Sequence, residues 1–583
     1  MKAFFRSFFA SLLALLVVIG LIVLILVMFV AQSSRKEKIA DHSYLVIDVY
    51  GNVLEYYPPA GIMSKFMGGD PLTLHAILTS LEKARVDDRL DGVILKLSSN
   101  NGAGMAMLQE MRQAVKALRE EGKKVYAFSD SLDRKTYFLA AACDSILLPP
   151  TANVRFLGFA MATQHGKRAL EKIGIEMNVH RIKDYKSAAE MATRTEMSPE
   201  SRKNKEWLLE EQWDMFTRAL EQDRGLSEAK IIDLMRHAVF TPEEARKNQL
   251  VDRLLYWDEL EDILKQEEDQ RLRTVSLARY QQEDPRKLGL SGKKRIAVVH
   301  AQGTIGGRKS GVNPILGVMM GHETVVGELR RARKNDKVAA VVFRVDSRGG
   351  EALASDLIGH EVERTAKVKP VVVSMVDVAA SGGYHIAYRA SKIVADPLTL
   401  TGSIGSITMK PNLKGLYDKL GISYDFVTKG PMALMYSDYR NFSPEEKERF
   451  EKNHWDGFND WLRDIAEHRG MTFEEAEELA HGRVWTGRQA KANGLVDELG
   501  GLDTAVAIAK NLADIPEEEQ VTLLHYPKKK GLLNLFIGRN QDGHSIVSWA
   551  LYRFVQDDLV ATLRMLEESP FCIMDNVILE ERR

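Results

Sequence analysis

Cysteine is nearly absent: the chain has two in 583 residues, Cys143 and Cys572. Two cannot build a disulfide framework, and the pattern holds no Cys-based zinc spacing. Excess charge is missing as well. Lys and Arg number 80 against 81 Asp and Glu, a formal net charge of -1. The chain therefore exerts no bulk electrostatic pull on nucleic acid, and none is expected as a partner. Long hydrophobic runs are missing too, with one exception. What remains is ordinary: 45% hydrophobic and 28% charged residues, a globular balance that excludes a wholly disordered or collagen-like chain. At ~100–200 residues per domain, the length predicts several domains.

The exception runs from Phe8 to Ala31, where every residue is apolar or small. As a helix rising ~1.5 Å per residue it reaches ~36 Å, enough to cross a hydrocarbon core of ~30 Å. A cleavable signal peptide has a shorter apolar stretch and a small-x-small exit, and Phe29-Val30-Ala31-Gln32-Ser33 is a poor one. Residues 1–40 are therefore expected to form an uncleaved single-pass anchor. Lys2 and Arg6 precede the run and Arg35, Lys36 and Lys38 follow it, so charge counting leaves its orientation open.

Internal repetition sets the architecture. The stretch Leu81–Ser99 lies over Leu329–Ser347 without a gap, a shift of 248 residues. Tyr137, Ile146, Pro150 and Gly158 match Tyr384, Ile393, Pro397 and Gly405 at a shift of 247. Phe240–Asp252 matches Trp485–Asp497 at 245. Three collinear blocks with drifting offsets mean a tandem duplication with small loop deletions. In each half, short β-rich runs (Tyr44–Val49, Val93–Leu97, Val125–Phe128; then Ile296–His300, Ala339–Val345, Val371–Met375) alternate with helix-period stretches such as Leu108–Arg119 and Ala352–Thr365. That grammar predicts an α/β fold of parallel βαβ units. The division expected is an anchor over 1–40, a first domain over 41–280, a second over 281–525 and a tail over 526–583. The charged stretch Gln266–Lys294 reads as the linker, and Ile546–Leu566 in the tail as an amphipathic helix.

Chemistry concentrates where strands exit. Val371–Met375 leads to Ala380-Ser381-Gly382-Gly383 at the start of a helix. Small neighbours let a substrate backbone approach the Ser381 hydroxyl, and the free N–H groups of a helix start favour a developing oxyanion. One strand earlier, Ser347-Arg348-Gly349-Gly350 leaves the sheet through two glycines, which can aim a second N–H at the same oxygen. Alone, the serine motif reads better as an ordinary N-cap; beside the Gly-Gly loop it reads as a nucleophile. The serine needs a base. His385 lies one turn further along its helix and reads as a packing or surface residue, with the base as the alternative; Asp377 reads as a cap on its own turn. The duplication points elsewhere. Arg134 stands where Ser381 would be in the first half, and Met432 or Ala433 stands where Lys186 would be in the second. Each half keeps what the other has lost, so one composite site is expected. A lysine in that role must be buried, because a solvated lysine stays protonated at neutral pH.

Together the anchor, the duplication, Tyr185-Lys186-Ser187-Ala188, the Ser-x-Gly-Gly loop, Ala380–Tyr384 and Leu400-Thr401-Gly402-Ser403-Ile404-Gly405 resemble the signal peptide peptidase A family of the long, protease IV type. The resemblance spans about residues 40–525. It implies a Clp protease/crotonase-like fold in each repeat and a serine endopeptidase with a Ser–Lys dyad. Ser381 is then the nucleophile and Lys186 the general base, with Gly350 and Gly382 as oxyanion donors and Ser403 orienting the lysine. Arg348 replaces the proline usual before Gly-Gly in that family, which leaves Gly349 as an alternative donor. The resemblance further implies remnant signal peptides as substrates, a body on the periplasmic side of a bacterial inner membrane, a homotetramer, and no metal or organic cofactor. A crotonase-like acyl-CoA enzyme and a non-catalytic membrane scaffold are the alternatives.

Overall fold

The computed structural model describes residues 38–57, 71–265, 271–313, 317–528, 571–573 and 578–579. In the first half, β1 (Ser43–Gly51), β2 (Leu90–Asn101), β3 (Lys124–Leu132) and β4 (Ser145–Leu148) lie side by side and parallel. A further strand, β5 (Glu176–Arg181), belongs to a different sheet. In the second half, β6 (Lys294–Gln302) and β7 (Val338–Ser347) are parallel, and β7 turns through Arg348 into the short β8 (Gly349–Glu351). β9 (Val371–Ala380) pairs with β7 and, beyond it, with β10 (Leu400–Gly402). β11 (Ile407–Asn412) follows. Val341, Val342 and Phe343 on β7 are all fully buried, as expected when helices cover both faces of a parallel sheet.

The duplication is repeated in detail. The helices Pro199–Arg224 and Pro444–Arg469 each have 26 residues, begin at a serine cap (Ser198, Ser443) and end at a left-handed glycine (Gly225, Gly470). Arg224 pairs with Asp252 at 2.8 Å, and Arg469 with Asp497 at 3.1 Å. Those aspartates accept from the main-chain N–H of Ile146 (2.7 Å) and Ile393 (2.8 Å).

The halves interlock. β5, from the first half, pairs antiparallel with β11, from Arg181 opposite Ile407 to Glu176 opposite Asn412. The buried Asn204 side chain exchanges two hydrogen bonds with the Val484 main chain, at 2.9 and 3.0 Å. Arg344, wholly buried on β7, donates to Glu55 (2.9 Å), Glu110 (2.6 Å) and Ser374 (2.7 Å). Asp377 does not cap its own turn, as the sequence suggested. Its carboxylate accepts from Gly104, Ala106 and Met107 at 2.9–3.0 Å, so a second-half residue caps the first-half helix Met105–Glu120. Local sequence cannot reveal this, because the capped helix lies some 270 residues upstream.

Part of the expected linker belongs to the first half. Thr274–Ser276 pairs parallel with β1, and buried Tyr280 donates to Asp87 at 2.9 Å. Only Val275 is apolar in that three-residue strand, which arginines flank, so no periodicity marks it. The expected anchor and the amphipathic helix at Ile546–Leu566 lie outside the described residues. Among the described residues, no helix is long and apolar enough to cross a membrane. From the tail, β12 (Phe571–Ile573) joins a third sheet between β8 and β11.

Candidate active site

Strand ends from both halves converge on Ser381. Its N–H donates to Gly402 at 2.8 Å, and its φ of 57° is one that a non-glycine residue adopts only where surrounding structure holds it. The residue caps the four-residue helix Gly382–His385, yet its hydroxyl makes no capping bond. That oxygen faces Lys186 instead.

Lys186 follows β5 and is 1% exposed. Its Nζ lies 2.6 Å from Ser381 Oγ, 2.8 Å from the Ser403 carbonyl oxygen and 3.0 Å from Ser403 Oγ. The ammonium can donate to all three. A neutral amine has two N–H bonds and a lone pair, so it can donate both to Ser403 and accept the Ser381 proton. Burial favours that neutral form. The antiparallel pairing of β5 with β11 carries the lysine to the serine across 195 residues of chain.

Several residues that sequence reasoning did not single out hold this lysine. Gly482, at φ +75°, packs against its main chain, and a Cβ there would stand 2.5 Å from the Lys186 nitrogen. Tyr185 N–H donates to His481 at 2.9 Å. Arg483 stacks over Tyr185, Trp207 and Trp485 at 4.4, 5.1 and 5.2 Å. Ser403 is itself at φ 50°, and its N–H donates to the Arg483 carbonyl at 2.7 Å. The one available signal was Trp485, which opens the third repeat block three residues past Gly482.

The Gly-Gly loop reaches the same point. The site of a Cβ on Gly382 is 3.0 Å from Gly350 N, so these two glycines are neighbours. Gly349 N–H is already bonded to Ser347 Oγ at 3.1 Å, and that hydroxyl donates to Gly303 at 2.6 Å. His385 stacks on Trp461, with centroids 4.8 Å apart and planes 12° apart, and it approaches Asp356 at 3.7 Å. Burial lowers its pKa despite Asp356. It is a packing residue, as expected. Arg134, at the first-half position matching Ser381, donates to Gly158 at 2.6 Å and lies over Phe159 at 3.6 Å. Met432 is exposed in the second half. On β7, burial and the neighbouring Asp377 push the Asp346 carboxyl up to about 8. Among the described residues, no cluster of His, Cys, Asp and Glu could hold a metal ion.

Residues 117–271 and 363–516 each match the sequence model of Peptidase family S49. The chain is 33% identical over 494 residues to Serine protease SPPA, chloroplastic, of Arabidopsis thaliana, covering 84% of this chain and 72% of that one. Protease 4 of Salmonella typhi is 33% identical over 460 residues, covering 76% and 73% of the two chains. Protease 4 of Haemophilus influenzae is 29% identical over 463 residues, covering 76% and 74%.

Proposed function

The chain belongs to peptidase family S49, and from that premise we propose that it is a serine endopeptidase working through a Ser381–Lys186 dyad. Lys186, neutral in its buried site, takes the Ser381 hydroxyl proton as Oγ attacks a peptide carbonyl carbon. The Gly350 and Gly382 N–H groups receive the oxyanion. Gly350 is preferred over Gly349, whose N–H is already engaged by Ser347. Lys186 then hands the proton to the leaving amine, and water hydrolyses the acyl-enzyme. Ser403 holds the amine with its lone pair toward the serine. Each repeat is taken as a Clp protease/crotonase-like domain, 41–280 supplying the base and 281–525 the nucleophile. The observation that carries this reading is the 2.6 Å contact between Lys186 and Ser381, both buried and contributed by different repeats.

The resemblance of the motif set supports remnant signal peptides as substrates, and the Phe8–Ala31 run supports anchoring in a bacterial inner membrane with the body on the periplasmic side. A homo-oligomer, a tetramer in the family pattern, accords with the exposed apolar side chains of Ile422, Tyr424, Phe426, Val427 and Tyr436. The test is hydrolysis of a signal-peptide sequence in detergent by the full chain. Ser381→Ala and Lys186→Ala should each lose turnover by at least ~10³-fold while keeping the sedimentation coefficient of the wild type. Undiminished turnover in either variant overturns the dyad.

A further inference from the structure

The strand that delivers Lys186 is gripped from the second half by a histidine. His180, opposite Thr408 in the pairing of β5 with β11, sets its Nδ1 2.8 Å from Nδ1 of His454, with the ring planes 73° apart. His454 is 7% exposed and sits in the helix Pro444–Arg469. Its other nitrogen, Nε2, is buried and meets no hydrogen-bonding partner among the described residues. The next residue of that helix, Trp455, lies under the Lys183 ammonium at 5.7 Å, and Lys183 pairs with Glu477. Between these two grips, Ile182 N–H donates to the Ser406 carbonyl at 2.9 Å. Lys186 follows three residues past Lys183. Neither histidine repeats. At the shift that aligns the two 26-residue helices, His454 stands over Leu209, and at the shift of 247 His180 stands over Val427. The contact therefore belongs to the pairing of repeats that holds the dyad.

We infer that His180 and His454 are positioning residues for the hydrolytic step: the bond between their Nδ1 atoms fixes β5 so that Lys186 Nζ meets Ser381, and it holds only while both rings are neutral. The inference rests on the protease reading above. Between two neutral imidazoles, one Nδ1–H donates to the other's lone pair. His454 is the donor, because its proton then lies on Nδ1 and leaves no N–H at the buried Nε2. A proton added to His180 places an N–H on that ring's Nδ1 as well. His454 must then move its own proton to Nε2, where a buried N–H finds no acceptor, or give up the bond. The charged groups around the pair are Lys447 and Glu451 on the helix and the Lys183–Glu477 pair beside it. Burial, joined by Lys447, outweighs the pull of Glu451 and keeps the His180 pKa below its ordinary value. Burial together with His180 lowers His454 to about 3.

The test follows hydrolysis of a fluorogenic peptide by the full chain in detergent across pH ~5–8, with the melting temperature of each variant measured alongside. His180→Leu and His454→Leu each break the bond, and should lower kcat by at least ~10-fold at pH ~7.5 with KM unchanged. His180→Gln still offers an oxygen to the His454 N–H but does not titrate. It should keep kcat within ~3-fold of wild type at neutral pH, and lose one ionisation from the acid limb that wild type shows below pH ~6.5. A wild-type kcat in His180→Leu, or a wild-type acid limb in His180→Gln, overturns the inference. A purely structural role gives that same result, with lower melting temperatures but kcat and profile unmoved. Should His180→Leu not fold, the profile of His180→Gln decides alone. If Ser381→Ala and Lys186→Ala abolish turnover while the histidine variants behave as wild type, only the positioning role fails. If either dyad variant keeps full turnover, the protease reading fails and takes the positioning role with it.

Discussion

Gly482 lies flat against the main chain of Lys186: a Cβ there would stand 2.5 Å from the lysine nitrogen and 2.7 Å from its Cα. The two residues come from different repeats, so the second half shapes the seat of the first half's lysine. Gly482 also holds φ +75°, a conformation that L side chains rarely adopt.

Gly482→Ala should therefore cost ~1–3 kcal/mol of stability and displace Lys186 from the serine. The expected outcome is a lower melting temperature together with a kcat reduced by more than ~10-fold. Thermal melts and steady-state kinetics on one preparation check both. A variant with wild-type kcat would show that the close approach has no bearing on the lysine.

Ser403→Ala removes the hydroxyl but leaves the main-chain carbonyl, so Lys186 keeps one of its two Ser403 partners. One hydrogen bond of ~1–1.5 kcal/mol predicts a kcat lower by about tenfold. KM should be unchanged, since Ser403 positions the lysine and is not assigned to substrate binding. The kcat–pH profile should move as well, because the partner of the titrating amine has changed. A purely structural role would lower the yield of folded protein without moving that profile.

The buried Arg344 joins the halves. Burial alone would raise the Glu55 carboxyl, but Arg344 and His300 outweigh it and hold it at about 2. For Glu110 burial wins over the same guanidinium, and its carboxyl stands at about 6. Arg344→Met strands both acids and should cost ~3–5 kcal/mol in urea denaturation. Adding Glu55→Gln and Glu110→Gln should restore part of that loss. A single variant as stable as wild type would contradict the ion cluster's role.

Three histidines meet where the halves touch. His75 and His525 lie with centroids 4.0 Å apart, and His300 Nε2 is 3.0 Å from His525 Nδ1. Tyr56 stacks on His300 at 3.9 Å, with Glu55 3.5 Å from its Nδ1 and Arg344 beyond. Burial lowers all three histidines, and for His75 it prevails with His300 over the opposing pull of Glu55, to about 4. Between pH ~6.5 and about 4 the unfolded chain binds the proton that folded His75 refuses, so stability falls as pH falls through that window. His75 keeps some solvent exposure, which limits the effect to ~1–2 kcal/mol. Urea titrations at pH 7 and pH 4.5 should show wild type losing that much more stability than His75→Phe. An equal loss in both would remove His75 from the account.

The repeat blocks made much of this legible. Strands β2, β7 and β9 fall where the β-rich runs put them, and the helices Met105–Glu120 and Ala352–Ala366 where the helix-period stretches do. Ser381 and Lys186 were visible because each half lacks the other's group, a signal that needs only the alignment of the chain with itself. What remained hidden acts across the repeats. Asp377 caps a helix some 270 residues upstream, Gly482 fits a backbone 296 positions before it, and Thr274–Ser276 is too short and too flanked by charge to show a period. Tertiary contacts between distant segments leave no local pattern of spacing, so sequence periodicity could not find them.

The most direct test is site mapping with a fluorophosphonate probe on the full chain, by peptide mass spectrometry, in wild type and Lys186→Met. The account predicts a single modified serine, Ser381, in wild type, and labelling reduced by at least ~10³-fold in the variant, since the hydroxyl has lost its base. Equal labelling of Ser381 in Lys186→Met, or modification of a different serine in wild type, would contradict it.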